Sequence, residues 1–341
     1  MSKNRLFFIQ QHLTDTFTHG GVGFKDAERV LVSLNFKPLV FPQPNSYSIY
    51  AKLVRFGFLL RWLTTLPTNA VIVFIHPLHS QLSNWLVKCI SQYRKSITVA
   101  CFIGDIEGLR DGDRELLTKE KAFWLHFEKF IVHNTSMKQW LQSELYNKTI
   151  VMCEFFDFLA ATVQEVRKKK DIVAFAGNFD KAQFIWQLPN VSTNTIFKLY
   201  GNSKSNAFVG FRNVLFKGVY QPENLPFVIE GSFGLVWDGM SMDKMYGYHG
   251  AYNKYNSPHK LSLYIISSLP IICHHDAAAA ELIKKYNIGF TVGALDEISN
   301  KIENISEEAY VQMQQNCRAL AVKITSGGCL TGALKELGVI K

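Results

Sequence analysis

The sequence predicts an α/β protein built from two doubly wound parallel-sheet domains facing a cleft, and three observations predict it. At 341 residues the chain has room for two domains of about 150 residues each. Short apolar runs alternate with longer helical patterns from one end to the other. The runs are apolar at nearly every position, which marks strands buried on both faces, as in a parallel sheet covered by helices.

In the first half, strands are expected at Arg5–Gln10, Pro38–Phe41, Ala70–Ile75, Ile97–Ile103, Lys129–His133 and Thr149–Cys153. Apolar spacing between them predicts helices over Gly23–Leu34, Ser48–Leu63, Gln81–Tyr93, Arg114–Phe127 and Ser136–Leu145. A polar, basic stretch within Ala160–Lys170 interrupts the alternation and reads as an interdomain connector. A second series of strands follows at Asp171–Gly177, Thr195–Gly201, Asn213–Tyr220, Phe233–Trp237, Leu269–Cys273 and Gly289–Val292. Its helices are expected at Lys260–Ser267, Ala277–Tyr286, Ala294–Asn304, Ser306–Thr325 and around Thr331–Leu337. Two Rossmann-like domains are the economical reading, 1–158 and 159–324, with a final helix over about 325–341 that can pack back on the first. Ligands of such sheets sit at the carboxyl ends of the strands.

Composition narrows the function classes. A chain 48% hydrophobic and 19% charged is globular rather than disordered or collagen-like. The formal charge of +9 lies mostly in the first half, which holds 18 basic and 12 acidic residues through Phe155. Such a bias suits nucleotide phosphates or an anionic membrane surface. Nucleic acid is not expected, since no basic–aromatic array accompanies the charge. The six cysteines are scattered with no C-x-x-C pair, which argues against a disulfide framework and a structural zinc site. No signal peptide and no run of 18 apolar residues is seen, so a soluble, cytoplasmic protein is expected. The stretch Ser48–Leu63 interleaves Lys52, Arg55 and Arg61 with leucines and aromatics. It reads either as a sheet-covering helix or as one resting on the inner face of an anionic membrane.

Four places carry chemistry. In HGGVGFKDAERV, His19–Val30, glycines including Gly21 and Gly23 precede a helix, where bare backbone N–H groups favour an anion or a sugar oxygen. The run fits neither G-x-G-x-x-G nor the P-loop, so it predicts neither dinucleotide nor ATP binding. Asp105 directly follows a buried strand and is placed to act as a general base, with Glu107 and Arg110 nearby. The strand ending at Ala176 runs into Gly177 and Asn178, a turn suited to phosphate, with Lys181 as a point charge. The strand Phe233–Trp237 delivers Asp238 to the cleft edge, and after a Gly- and Tyr-rich loop Pro258 opens the helix that starts with His259 and Lys260. Lys260 at a helix N-terminus makes a diphosphate site, His259 is a candidate donor to the ligand, and the following helix would bring Glu281 near the same cleft.

The run VWDG…GAYNKYNSPHKLSLYIISSLPII resembles the signature of bacterial β-1,6-galactofuranosyltransferases of O-antigen synthesis. It is similar, more distantly, to the glucosyltransferases that extend GlcNAc on serine-rich adhesins. The motifs GGVGFKDA, D-I-E-G-L-R, FAGN and IGFTVG extend the likeness along the chain in order. The resemblance implies GT-B architecture, a UDP-sugar donor held mainly by the second domain, no cofactor and no obligatory metal. By motif, Lys260 would be the family's diphosphate lysine, Lys181 the basic residue after its G-N turn, and Tyr220 an aromatic stacking on the base. Relatives commonly read I-H-D where this chain has Ile103-Gly104-Asp105, so Asp105 works without that histidine. The implied activity is transfer of a hexose, galactofuranose or glucose, to a glycan, lipid-linked or protein-linked acceptor, with inversion and by a homo-oligomer. A nucleotide-sugar epimerase and a non-catalytic nucleotide-sugar-binding paralogue are the rival readings.

Overall fold

The computed structural model describes all residues except 1–4, 14–20, 42–47, 78–79, 164–165, 192–193, 203–207 and 209. Among the described residues, twelve strands form two six-stranded sheets. The first holds β1 (Leu6–Ile9), β2 (Lys37–Leu39), β3 (Val71–His76), β4 (Thr98–Ile103), β5 (Lys129–Val132) and β6 (Thr149–Met152) in the order β2-β1-β3-β4-β5-β6. The second holds β7 (Ile172–Ala176), β8 (Ile196–Tyr200), β9 (Val214–Gly218), β10 (Phe233–Val236), β11 (Ile271–His274) and β12 (Gly289–Val292) in the order β12-β11-β10-β7-β8-β9. Every pairing is parallel. All twelve expected strands are present, because runs apolar at each position can be satisfied only where helices cover both faces.

The first domain's helices are α1 (Val22–Ser33), α2 (Ile49–Thr65), α3 (Gln81–Tyr93), α4 (Glu107–Arg110), α5 (Arg114–Trp124) and α6 (Thr135–Glu144). The second carries α7 (Leu225–Val228), α8 (Gly247–Tyr252), α9 (Lys260–Ile266), α10 (Ala278–Tyr286), α11 (Ile298–Asn304), α12 (Glu307–Thr325) and α13 (Gly328–Glu336). Several begin where a side-chain cap satisfies free backbone N–H groups. Asp113 caps α5, Asn134 caps α6 and Ser306 caps α12. Three short helices, α4, α7 and α8, and a 3-10 helix over Gln183–Asn190 lie in stretches the sequence reads as loops. They are too short to show a hydrophobic period.

The chain's last helix leaves the second domain. Leu330, Ala333 and Leu334 of α13 are buried in one cluster with Phe8, Val30 and Ile131 of the first. Asp157 fixes the crossing by accepting the Cys329 and Leu330 N–H groups, both at 2.9 Å. No helix among the described residues is long and apolar enough to cross a membrane, and all six cysteines are unbonded.

One packing detail fixes α9 on the second sheet. At Gly234 in β10 an added Cβ would lie 2.3 Å from the Tyr264 ring, so the bare backbone lets α9 press flat on the sheet. The Tyr264 hydroxyl then accepts the Ala176 N–H at 2.8 Å and donates to the Leu235 carbonyl at 3.1 Å, locking α9 to β7 and β10. Gly234→Ala is expected to displace this ring and destabilise the fold by about 2 kcal/mol, a fall in Tm of roughly 4–8 °C readable by calorimetry.

Candidate active site

Both sheets turn their carboxyl edges to one cavity of about 430 Å³, well within the range of small-ligand sites. Its walls come from both domains: Gly21, Gly23 and Asp105 from the first, and Gly177, Asn178, Lys181, Tyr220, Asp238, His259 and Lys260 from the second.

On the first-domain wall β4 ends at Ile103 and hands Asp105 to the cleft. Arg110 Nη1 holds Asp105 Oδ2 at 2.5 Å and its other nitrogens reach Glu107 and Asp111. The Asp111 hydrogen bonds first, and then the Asp105 charge, push the Arg110 pKa up against the opposing effect of burial. That guanidinium therefore stays charged and keeps Asp105 in place. Oδ1 of Asp105 is buried, and the Tyr252 hydroxyl of the second domain interacts with this carboxylate.

The turn after Asp105 is held from two sides. Buried Glu120 accepts the Glu107 and Gly108 N–H groups at 2.9 Å each and pairs with His76 Nε2 at 3.0 Å. From the second domain, the Tyr252 hydroxyl accepts the Ile106 N–H at 2.7 Å. Burial first, and the adjacent Asp105 charge second, push the Tyr252 pKa well above that of a free phenol.

On the opposite wall, Lys260 opens α9 and its Nζ sits 2.8 Å from Asp238 Oδ1 and 3.2 Å from the Trp237 carbonyl. The Phe175 ring lies beneath it, 4.8 Å to the centroid. An ammonium has three N–H donors, so one remains for a ligand. Lys181 is exposed at the rim and makes no ion pair among the described residues. Asn178 closes the turn between them by accepting the Asp180 N–H at 2.8 Å. Tyr220 lines the cavity, its ring 6.0 Å from that of Tyr200.

Gly21 precedes α1 with φ 70°, a left-handed conformation that favours glycine. At Gly23 a Cβ would lie 2.7 Å from Phe156 and 3.0 Å from His259, so bare backbone is needed where the two domains meet. His19 and Gly20 of the same motif lie outside the described residues. His259 stacks on Phe158 at 4.5 Å; burial pushes its pKa down to about 4, and its Nε2 has no partner among the described residues. It is a neutral imidazole at pH 7. The histidine expected from relatives has no room here, since a Cβ at Gly104 would meet Phe24 at 2.2 Å.

Glu281 does not reach the cavity. Its Oε1 accepts the Thr135 hydroxyl at 2.8 Å, joining α10 to α6 across the domain boundary. Proximity in sequence to a cleft-lining helix placed it too near, because α10 starts beyond the edge of the site. Tyr252, Asn253, Asn256 and His249 also line the cavity and were missed. Their signal was the Gly- and Tyr-rich composition of the loop, which does not say which rings turn inward. Among the described residues, one group can converge on a metal ion, His274, His275 and Asp276 at the end of β11, and it lies outside the cavity lining.

Both halves of the chain match known proteins. Residues 12–155 match the family model of the glucosyltransferase 3-like N-terminal domain, and residues 173–337 match that of the C-terminal domain. The chain is 28% identical over 282 residues to the β-1,6-galactofuranosyltransferase WbbI of Escherichia coli K12, covering 81% of each chain. It is 31% identical over 116 residues to glucosyltransferase 3 of Streptococcus gordonii, covering 34% of each. Among solved structures, sucrose-phosphate synthase of Thermosynechococcus elongatus superposes with a TM-score of 0.67 at 13% identity over 98% of both chains. Anabaena HepE in complex with UDP-glucose gives 0.62 at 12% identity over 98% of this chain and 99% of its own. With two Rossmann-like sheets facing one cleft and both halves matched in order, the chain belongs to the glucosyltransferase 3-like family of GT-B glycosyltransferases.

Proposed function

We propose that the protein transfers a hexose from a UDP-sugar to a hydroxyl of a glycan acceptor, with galactofuranose as the first candidate and glucose as the second. The observation that carries the reading is the meeting in one cavity of a first-domain carboxylate, Asp105, and two second-domain cations, Lys260 and Lys181. The order of the sugars follows the relatives: the galactofuranosyltransferase aligns over 81% of this chain and the streptococcal glucosyltransferase over 34%. UDP is the favoured nucleotide because HepE, of the same fold, binds UDP-glucose.

In this reading Tyr220 stacks on the base while Lys260 and Lys181 meet the diphosphate. Negative charge grows on the departing diphosphate, and fixed cations that face it stabilise the transition state. They take the role without an obligatory divalent ion. Asp105 accepts the acceptor proton as the hydroxyl attacks the anomeric carbon from the opposite face, which inverts its configuration. Arg110 keeps that carboxylate aimed.

The test is UDP release from UDP-galactofuranose and UDP-glucose with glycan acceptors, in the presence of EDTA, with the product's anomeric configuration read by NMR. Release that survives EDTA and gives an inverted product is expected. Epimerised donor without acceptor would replace the reading with an epimerase, and UDP binding without turnover would leave a nucleotide-sugar-binding paralogue. Tyr252→Phe is expected to lower kcat roughly tenfold with UDP affinity unchanged, because the unpaired Ile106 N–H loosens the turn carrying Asp105.

A further inference from the structure

We propose that the outer face of α2 is a docking surface for an anionic lipid bilayer. Sequence spacing leaves open whether this helix merely covers the sheet. In the structure its last turns meet the core, while its earlier apolar residues, Tyr50 and Val54 included, stay exposed. Leu59 is buried and Trp62 and Leu63 pack against the first domain's core. Ile49, Leu53, Phe56 and Leu60 do not share that burial; they are between 45% and 77% exposed. Their spacing of i, i+4, i+7 and i+11 sets them on one stripe. A helix that only covers a sheet carries polar side chains outside, so an apolar outer stripe calls for a partner.

Charge selects the partner. Exposed Lys52 and Arg61 belong to the same helix. No acidic residue occurs from Arg29 to Gly104, a segment that holds eight lysines and arginines. A second copy docked by the same face would bring these like charges together, whereas phospholipid headgroups neutralise them and their acyl boundary takes up the apolar stripe. Because α2 follows β2, its first turn starts from the carboxyl edge of the sheet, the edge that faces the cleft. A bilayer held there lies beside the acceptor side of the site. The docking surface itself does not depend on the donor chemistry.

Vesicle flotation without nucleotide tests it. The protein is expected to float with vesicles of phosphatidylcholine and phosphatidylglycerol, to stay behind with phosphatidylcholine alone, and to release in high salt. Lys52→Glu with Arg61→Glu should lower the bound fraction about tenfold. Leu53→Ser, Phe56→Ser and Leu60→Ser together should abolish binding, with circular-dichroism melts matching the wild type. Absence of flotation, or flotation kept by both variants, would overturn the proposal. So would a wild-type multimer that never floats and that the triple serine variant dissociates, which would assign the stripe to a second copy.

Discussion

Lys260→Ala is expected to weaken UDP binding by about 100-fold, roughly 3 kcal/mol. The ammonium lies on the cavity wall, fixed by Asp238 and the Trp237 carbonyl, so its remaining N–H meets a diphosphate without further ordering of the side chain. Removing it also leaves the Asp238 carboxylate unpaired where the diphosphate should sit, and two anions then repel each other. Isothermal titration with UDP measures the loss. Asp238→Asn separates the two effects: it removes the competing charge, keeps Lys260 and should retain UDP binding. Wild-type affinity in Lys260→Ala would remove this lysine from the donor site.

Asp105→Asn is expected to keep UDP affinity within about twofold and to lower kcat by roughly a thousandfold, since general bases contribute about 10²–10⁴ in rate. The amide is nearly the same shape and can still accept from Arg110, but it cannot take a proton from an acceptor hydroxyl. Paired titration and turnover measurements therefore split binding from chemistry. A variant that turns over at the wild-type rate would show that another group removes the proton, and the unpartnered, neutral His259 Nε2 in the same cavity would be the next to test.

Much of this site was legible before any coordinates. Asp105, Lys181 and Lys260 each follow a strand or open a helix, and a parallel sheet sends such positions to its carboxyl edge. What could not be read were contacts between residues far apart in the chain. The pairing of Lys260 with Asp238 crosses 22 positions, and the Tyr252 hydroxyl reaches Ile106 across 146. The Glu281 expectation failed for the same reason: helix phase says where a side chain sits on its own element, and nothing about how far that element stands from the cavity. The replacement of the relatives' histidine by Gly104 was visible in the sequence, but its cause, the Phe24 ring filling that space, was not.

Local apolar patterning and turn chemistry act over a few residues at a time, and they suffice to set the two parallel sheets and the strand ends that carry charge. Which charges face each other, and which apolar side chains of α2 stay exposed, follow from long-range packing. Those outcomes depend on how the domains and helices pack, and packing brings together groups that no local pattern relates.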